Sequence, residues 1–232
     1  MPMKCLSNQH GVGLIEVLVA VLLLSIAILG FSALQIRAVS ATDESLVRTK
    51  SLTVVRNLAE VMRAYPESYV IGSGSSFTSA APTETVETPA VGGADPVVNK
   101  AVSTIQAIIS SNATDSITVD TKVITRNGDN NCLSTATTVG ANSKKIPNKL
   151  CNINQLATRE ALMIKTLAKD EDIKLAVVTC PGTTIQAIQR QMCIVTAWND
   201  TKALLDDTDD KACASSKGVY KTGSQCLISE AY

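Results

Sequence analysis

Apolar positions follow three rhythms along this chain, and each predicts a different element. From Leu14 to Leu34 (LIEVLVAVLLLSIAILGFSAL) they run almost without a break over 21 residues, with polar side chains only at Glu16, Ser25 and Ser32. A run of that length spans the hydrocarbon core of a bilayer as a helix. It exceeds the roughly 7 to 15 apolar residues of a secretory signal, and no convincing small-x-small cleavage site follows it. Beyond it the pattern becomes periodic. Val47, Ser51, Val54, Leu58, Val61 and Tyr65 recur at steps of 4 and 3, with Thr49, Thr53, Arg56, Glu60 and Arg63 opposite. This is an amphipathic helix that continues the apolar one. It ends at Tyr65-Pro66, because proline disfavours the helical conformation in the residue before it. A continuous helix over 12–65 measures about 80 Å at 1.5 Å per residue, with its second half needing a globular partner.

Downstream the signals are shorter. Residues 72–98 are rich in Gly, Ser, Thr, Pro and Ala without periodicity and read as an exposed loop. Asn99 to Ser111 brings Val102, Ile105, Ile108 and Ile109 onto one face of a short helix, and Ser116 to Thr125 (SITVDTKVIT) alternates as a strand does. Residues 127–149 are polar and read as loop. Asn154 to Lys169 carries Leu156, Ala157, Glu160, Met163, Ile164 and Leu167 in helical spacing, with Asn154 as N-cap. Ile173 to Cys180 and Met192 to Trp198 are β-branched and apolar, and predict an antiparallel pair. Residues 66–232 therefore form an α+β head.

Charge and composition narrow the function. Lys and Arg number 21 against 21 Asp and Glu, so no net basic field exists to hold nucleic acid. Aromatics are 3% of the chain, too few for stacking platforms. The one histidine, His10, precedes the apolar run, which leaves the head without Ser-His-Asp or Cys-His catalysis or a His-rich metal site. Asp206, Asp207, Asp209 and Asp210 crowd together but lack the order of an EF-hand loop, and Lys211 follows where a ligand is wanted; they read as a solvated acidic loop. Asn112-Ala113-Thr114 fits a glycosylation acceptor, a pattern short enough to arise by chance. No catalytic residue, metal site or cofactor is expected.

Of the seven cysteines, Cys5 precedes the apolar run and Cys132, Cys151, Cys180, Cys193, Cys213 and Cys226 follow it. None of these six stands in a C-x-x-C pair, so structural disulfides in an oxidising compartment are expected. Sequence leaves the connectivity open, and neighbour pairing is the simplest choice: Cys180 with Cys193 across the predicted strand pair, Cys213 with Cys226, and Cys132 with Cys151. Each such loop contributes about 3 kcal/mol in the chain-entropy account. No Lys/Arg cluster or His adjoins any of the six, so no reactive thiol is expected.

Glu16 is the anomaly, since a carboxylate near the start of a membrane helix costs on the order of 2 to 3 kcal/mol. Either it snorkels to water or it has a partner. The segment around it, Gly11-Val12-Gly13-Leu14-Ile15-Glu16-Val17-Leu18, resembles the class III signal of type IV pilins and pseudopilins. In that family a hydrophilic leader ends in Gly, a dedicated peptidase cuts after it, the new N-terminus is methylated, and the fifth mature residue is Glu. The resemblance implies a leader over 1–11, cleavage between Gly11 and Val12, N-methylation of Val12, and an assembly and register role for Glu16. Val12 departs from the family's usual Phe. The helix proline of major pilins is absent too, Ala33 standing in its place and Gly30 being the one helix-softening residue nearby.

The run GVGLIEVLVAVLLLSIAILGFSALQ is similar in particular to the minor pilins of that family, over about the first 65 residues. Downstream the similarity is weaker, a helix followed by two apolar strands. It implies an α+β, type IV pilin-like fold: a long N-terminal helix over 12–65, membrane-embedded over about 14–34, packed on a small antiparallel-sheet head with disulfides. The implied function is a non-enzymatic assembly subunit, single-pass in the inner membrane with a periplasmic head, and present in the pilus after assembly. Implied partners are other minor pilins, the major pilin, a tip adhesin, the prepilin peptidase and membrane lipid. Two alternatives stand beside it, a minor pseudopilin of a type II secretion system and a membrane-anchored periplasmic enzyme or receptor. The last needs a Ser-Lys or paired-carboxylate site that no local motif marks.

Overall fold

The computed structural model describes residues 13–80, 101–126, 132, 137–139, 145–147, 151–182 and 191–231. The chain divides into two units, Met1–Leu46 and Val47–Tyr232. Helix α1, Leu14–Ala64, is shared between them. The leader and the cleavage pair Gly11 and Val12 lie outside the described residues, as do 81–100 within the expected loop.

Among the described residues of the first unit no side chain is buried. Every large apolar residue from Leu14 to Val39 is at least half exposed, and the apolar stretch has a mean hydropathy of 2.8. Its few hydroxyls turn inward on the helix itself: Ser25 Oγ donates to Val21 O (2.8 Å) and Ser32 Oγ to Ile28 O (2.9 Å). Both polar groups are thereby satisfied without water, as an apolar medium requires.

In the second unit α1 buries Ser51, Val54, Val55, Leu58, Ala59 and Met62. The last two members of the stripe, Val61 and Tyr65, are only partly covered. Leu58, fully buried, joins a core with Ile105, Ile108, Ile117, Ile124, Leu162 and Ile194. Burying a side chain of that size stabilises the fold by about 2 kcal/mol.

The remaining elements are β1 (Tyr69–Ser73), β2 (Ser76–Ser79), β3 (Val102–Ser103), α2 (Thr104–Ser110), β4 (Ser116–Val119), β5 (Lys122–Thr125), β6 (Thr137–Val139), β7 (Lys145–Pro147), α3 (Ile153–Asp170), β8 (Lys174–Thr179), β9 (Met192–Ala197), β10 (Lys202–Leu205), β11 (Ala212–Ala214) and β12 (Cys226–Glu230). A five-stranded sheet has the order β3-β1-β2-β4-β5, and a three-stranded one the order β12-β9-β8. Pairings are antiparallel except β2 with β4 and β10 with β11, which run parallel. The β8–β9 pair is antiparallel, with Val177 opposite Ile194 in the core.

Four local expectations are corrected. Residues 72–79 are not loop: β1 and β2 form a hairpin in which Val70 and Phe77 are buried. Its turn depends on glycine, since Gly72 has φ +126° and an added Cβ would stand 2.5 Å from Ser76 O. Ser116 to Thr125 is a hairpin rather than one strand. Asp120 and Thr121 take positive φ (52° and 66°) in a two-residue turn, which sets Ile117 opposite Ile124 on one buried face. The polar stretch 127–149 contains the antiparallel pair β6–β7. In α3 the N-cap is Asn152, not Asn154. The Asn152 side chain accepts from Gln155 N, and the Gln155 side chain accepts from Asn152 N in return. The buried face of α3 is the small-residue one, Ala157, Ala161 and Ala168 with Leu162 and Ile164, while Met163 and Leu167 face outward.

Asn154 instead ties three elements together. The hydroxyls of Ser68 and Thr104 both donate to its Oδ1 (2.7 and 3.0 Å), and its Nδ2 donates to Ser79 Oγ (2.7 Å). Asp120 extends this seam, accepting from Ser79 N (2.5 Å), the Ser79 hydroxyl and Asn152 Nδ2 (2.5 Å). Partial burial alone would raise the Asp120 carboxyl, but the Ser79 and Asn152 donors outweigh it and hold it below its ordinary value.

Candidate membrane and assembly site

Glu16 stands in the first turn of α1, where its backbone N–H donates to Gly13 O (2.9 Å), as does that of Val17 (3.3 Å). A carboxylate at this position faces the positive end of the helix dipole, worth about 0.3–1 kcal/mol. Glu16, Val17, Ala20, Val21 and Leu24 share one exposed face, so the only acidic group of the apolar stretch opens an otherwise hydrocarbon stripe. The energetics of that stripe favour lipid. Sixteen large apolar residues from Leu14 to Val39 are exposed. At about 0.3–0.6 kcal/mol each they contribute roughly 5–10 kcal/mol to insertion. Glu16 opposes this by only about 2–3 kcal/mol. Insertion wins, and the carboxylate is left as the one ionisable group within the apolar stretch Leu14 to Leu34.

At the other end of α1, three contacts within the second unit fix it to the head. Ser51 Oγ donates to Thr196 Oγ1 of β9 (2.7 Å), both residues being fully buried, and Lys50 pairs with Glu171 after α3. The core packing of Leu58 completes the attachment.

The head holds the disulfides Cys132–Cys151, Cys180–Cys193 and Cys213–Cys226. The second joins the end of β8 to β9, and the third ties β11 to β12. The acidic loop is occupied with its own donors. Asp206 Oδ1 accepts from the Thr208 hydroxyl (2.7 Å) and from Thr208 N (2.6 Å) and Asp209 N (3.0 Å). Asp207 holds the Ser216 hydroxyl (2.6 Å) and Asp209 the Lys202 ammonium (2.6 Å). These hydrogen bonds pull all three carboxyls below their ordinary values.

One chemical juxtaposition is missed by sequence reading. Lys122, 29 positions from Cys151, donates from Nζ to its Sγ at 3.3 Å. Neither a Lys/Arg cluster nor a His is involved; the β4–β5 turn, which Asp120 ties to Asn152 at the head of α3, brings this single lysine to the cysteine. Proximity along the chain could not have revealed it.

Comparison with known proteins bears on the N-terminal segment. Residues 6–32 match the prokaryotic N-terminal methylation motif. Residues 33–91 match the Tt1218-like family, described as type IV pilin Tt1218. No curated protein and no solved structure matches the chain. The long apolar N-terminal helix, the sheet-bearing head and its disulfides are those of a type IV pilin fold. The two matches, both confined to residues 6–91, point to a pilus or pseudopilus subunit with a membrane-anchoring N-terminal helix.

Proposed function

We propose that this chain is a minor pilin of a type IV pilus, similar to PilV, the type IV pilus modification protein. It acts without enzymatic turnover, helping to initiate assembly and entering the pilus or its tip complex. Prepilin peptidase removes residues 1–11, cutting after Gly11, and Val12 becomes the methylated N-terminus. The α1 apolar stretch holds the subunit in the inner membrane with the head on the periplasmic side. Other minor pilins, the major pilin and a tip adhesin are its partners.

The observation that carries this reading is the match to the methylation motif over an apolar stretch, Leu14 to Leu34, whose only acidic group, Glu16, lies five residues beyond Gly11 in an exposed hydrocarbon stripe. In a bundle of such helices the Glu16 carboxylate offsets the terminal ammonium of Val12 on a neighbouring subunit. A helix displaced by one turn leaves both charges unpaired, so the pair sets axial register.

Intact mass and N-terminal sequencing of membrane-extracted protein test the processing. The mature chain should begin at Val12 and lack Lys4 and Cys5. A mature mass that still contains the leader in cells with active prepilin peptidase, or a Gly11→Val protein that still matures, would overturn it. Deletion that abolishes secretion and leaves pili intact would instead assign the chain to a pseudopilus.

A further inference from the structure

We propose that Cys132 is a site of reversible S-thiolation by small thiols, with Cys151 as the leaving sulfur and Lys122 as the group that stabilises it. The three disulfides of the head are not equivalent. Cys180, Cys193 and Cys213 are 5, 3 and 0% exposed. An incoming thiolate therefore reaches neither sulfur of Cys180–Cys193. It reaches only Cys226 of the third bridge, where the departing Cys213 would be a thiolate in a fully buried place. Cys132 and Cys151 are both only partly buried, so this is the one bridge of the three in which neither cysteine is fully enclosed.

The two sulfurs of this bridge also differ from one another. Lys122 Nζ lies 3.3 Å from Cys151 Sγ, and Cys151 immediately precedes Asn152, the N-cap of the 18-residue helix α3. A cation in contact and the positive end of a helix both favour thiolate over thiol. In exchange, the thiolate attacks the sulfur whose partner leaves more readily. The new S–S bond therefore forms between the incoming sulfur and Cys132 Sγ. The Cys132–Cys151 bond breaks, and its electron pair remains on Cys151 Sγ as a thiolate beside the Lys122 ammonium. No oxidant or reductant is consumed, and no proton needs to move. The step reverses when Cys151 attacks the mixed disulfide and expels the small thiol.

The size of the effect follows from charge proximity. A cation in contact makes a thiol ionise more readily, and the sulfur that ionises more readily leaves faster. Taking the leaving sulfur to be about as sensitive as the attacking one, exchange should be on the order of 3- to 10-fold faster with the cation in place.

The test uses the full chain in detergent micelles, treated with reduced glutathione at neutral pH, then quenched with N-ethylmaleimide and mapped by mass spectrometry. Glutathione should appear on Cys132 with N-ethylmaleimide on Cys151, before any product at the other four cysteines. Lys122→Met should slow this step about 3- to 10-fold, and Lys122→Arg should restore it. Trp198 fluorescence in each variant reports that the head remains folded, since that side chain is buried. Glutathione on Cys151 instead of Cys132, earlier opening of another bridge, or an unchanged rate in a folded Lys122→Met protein would each overturn the proposal.

Discussion

The hydrogen bond from Ser51 to Thr196 should reveal itself through non-additivity. The two side chains are fully buried and 2.7 Å apart, one on α1 and the other on the central strand β9 of its sheet. Ser51→Ala removes the donor and leaves Thr196 Oγ1 with only a long contact to Leu227 O (3.5 Å). Thr196→Val removes the acceptor and leaves the serine hydroxyl without its cross-element partner. Each single change leaves a buried polar atom poorly satisfied and should cost about 1–2 kcal/mol. Independent sites would then lose about 2–4 kcal/mol together. In the double variant no orphan remains and the replaced groups are nearly isosteric, so the loss should return to about 1–2 kcal/mol, a coupling of about 1–2 kcal/mol. Urea unfolding of the detergent-solubilised chain with its disulfides intact provides the assay. Trp198, the only tryptophan and buried beside the end of β9, provides the signal. A double variant whose loss equals the sum of the singles within about 0.5 kcal/mol would refute the reasoning.

Glu16→Ala should leave the protein inserted and its head folded, yet lower its recovery in sheared pili more than tenfold. Breaking a buried charge pair costs about 3–5 kcal/mol, well above the roughly 1.4 kcal/mol that a tenfold loss needs. Wild-type recovery by immunoblot, in a strain where deletion abolishes piliation, would defeat the register argument. Lys165, which donates to Ile108 O (2.9 Å) and to the Ser111 carbonyl at the end of α2, is pushed down to about 8 by burial. Its folded value lies below the unfolded 10.5, so between them the unfolded chain binds the extra proton and stability rises with pH. The Tm of the wild type relative to Lys165→Met should therefore climb from about pH 8 toward pH 10, and a flat difference would contradict the assignment. Replacing Cys213 and Cys226 together by serine should lower stability by about 3 kcal/mol, read as a shift of the urea midpoint; no shift would show that β11 and β12 hold without the bridge.

The long-period features of the chain were legible because one property dominates each of them. The apolar run has no polar competitor, and the stripe through Ser51, Val54 and Leu58 keeps helical phase. Legibility failed where two physical effects share the same residues. Alternation in SITVDTKVIT fits one strand, but Ile117 and Ile124 have opposite parity and can share a buried face only through a turn at Asp120 and Thr121. Gly72 and Gly74 looked like loop composition, whereas they are the backbone permission for a hairpin that buries Phe77. On α3, hydrophobicity ranks Met163 and Leu167 above Ala157 and Ala161. Close approach of neighbouring elements selects the small side chains instead. Of the candidate site, Glu16 was visible as a charge where none belongs. Lys122 was invisible, because its chemistry arises from a contact that only the folded head creates.

Both ends of the stretch between β2 and β3 are moored at one residue. Ser79 and Val102 pair with Val70 from opposite sides, and Val70 is fully buried. The chain thus leaves and returns about 10 Å apart, two strand spacings across β1. The Asn154 seam fastens Ser79 on one side, and Thr104 N–H donating to Ser68 O (2.9 Å) fastens the other. Closing a loop between fixed posts costs only about 0.6 kcal/mol for each doubling of its length. A longer insertion between these two posts therefore adds little closure cost to the folded head.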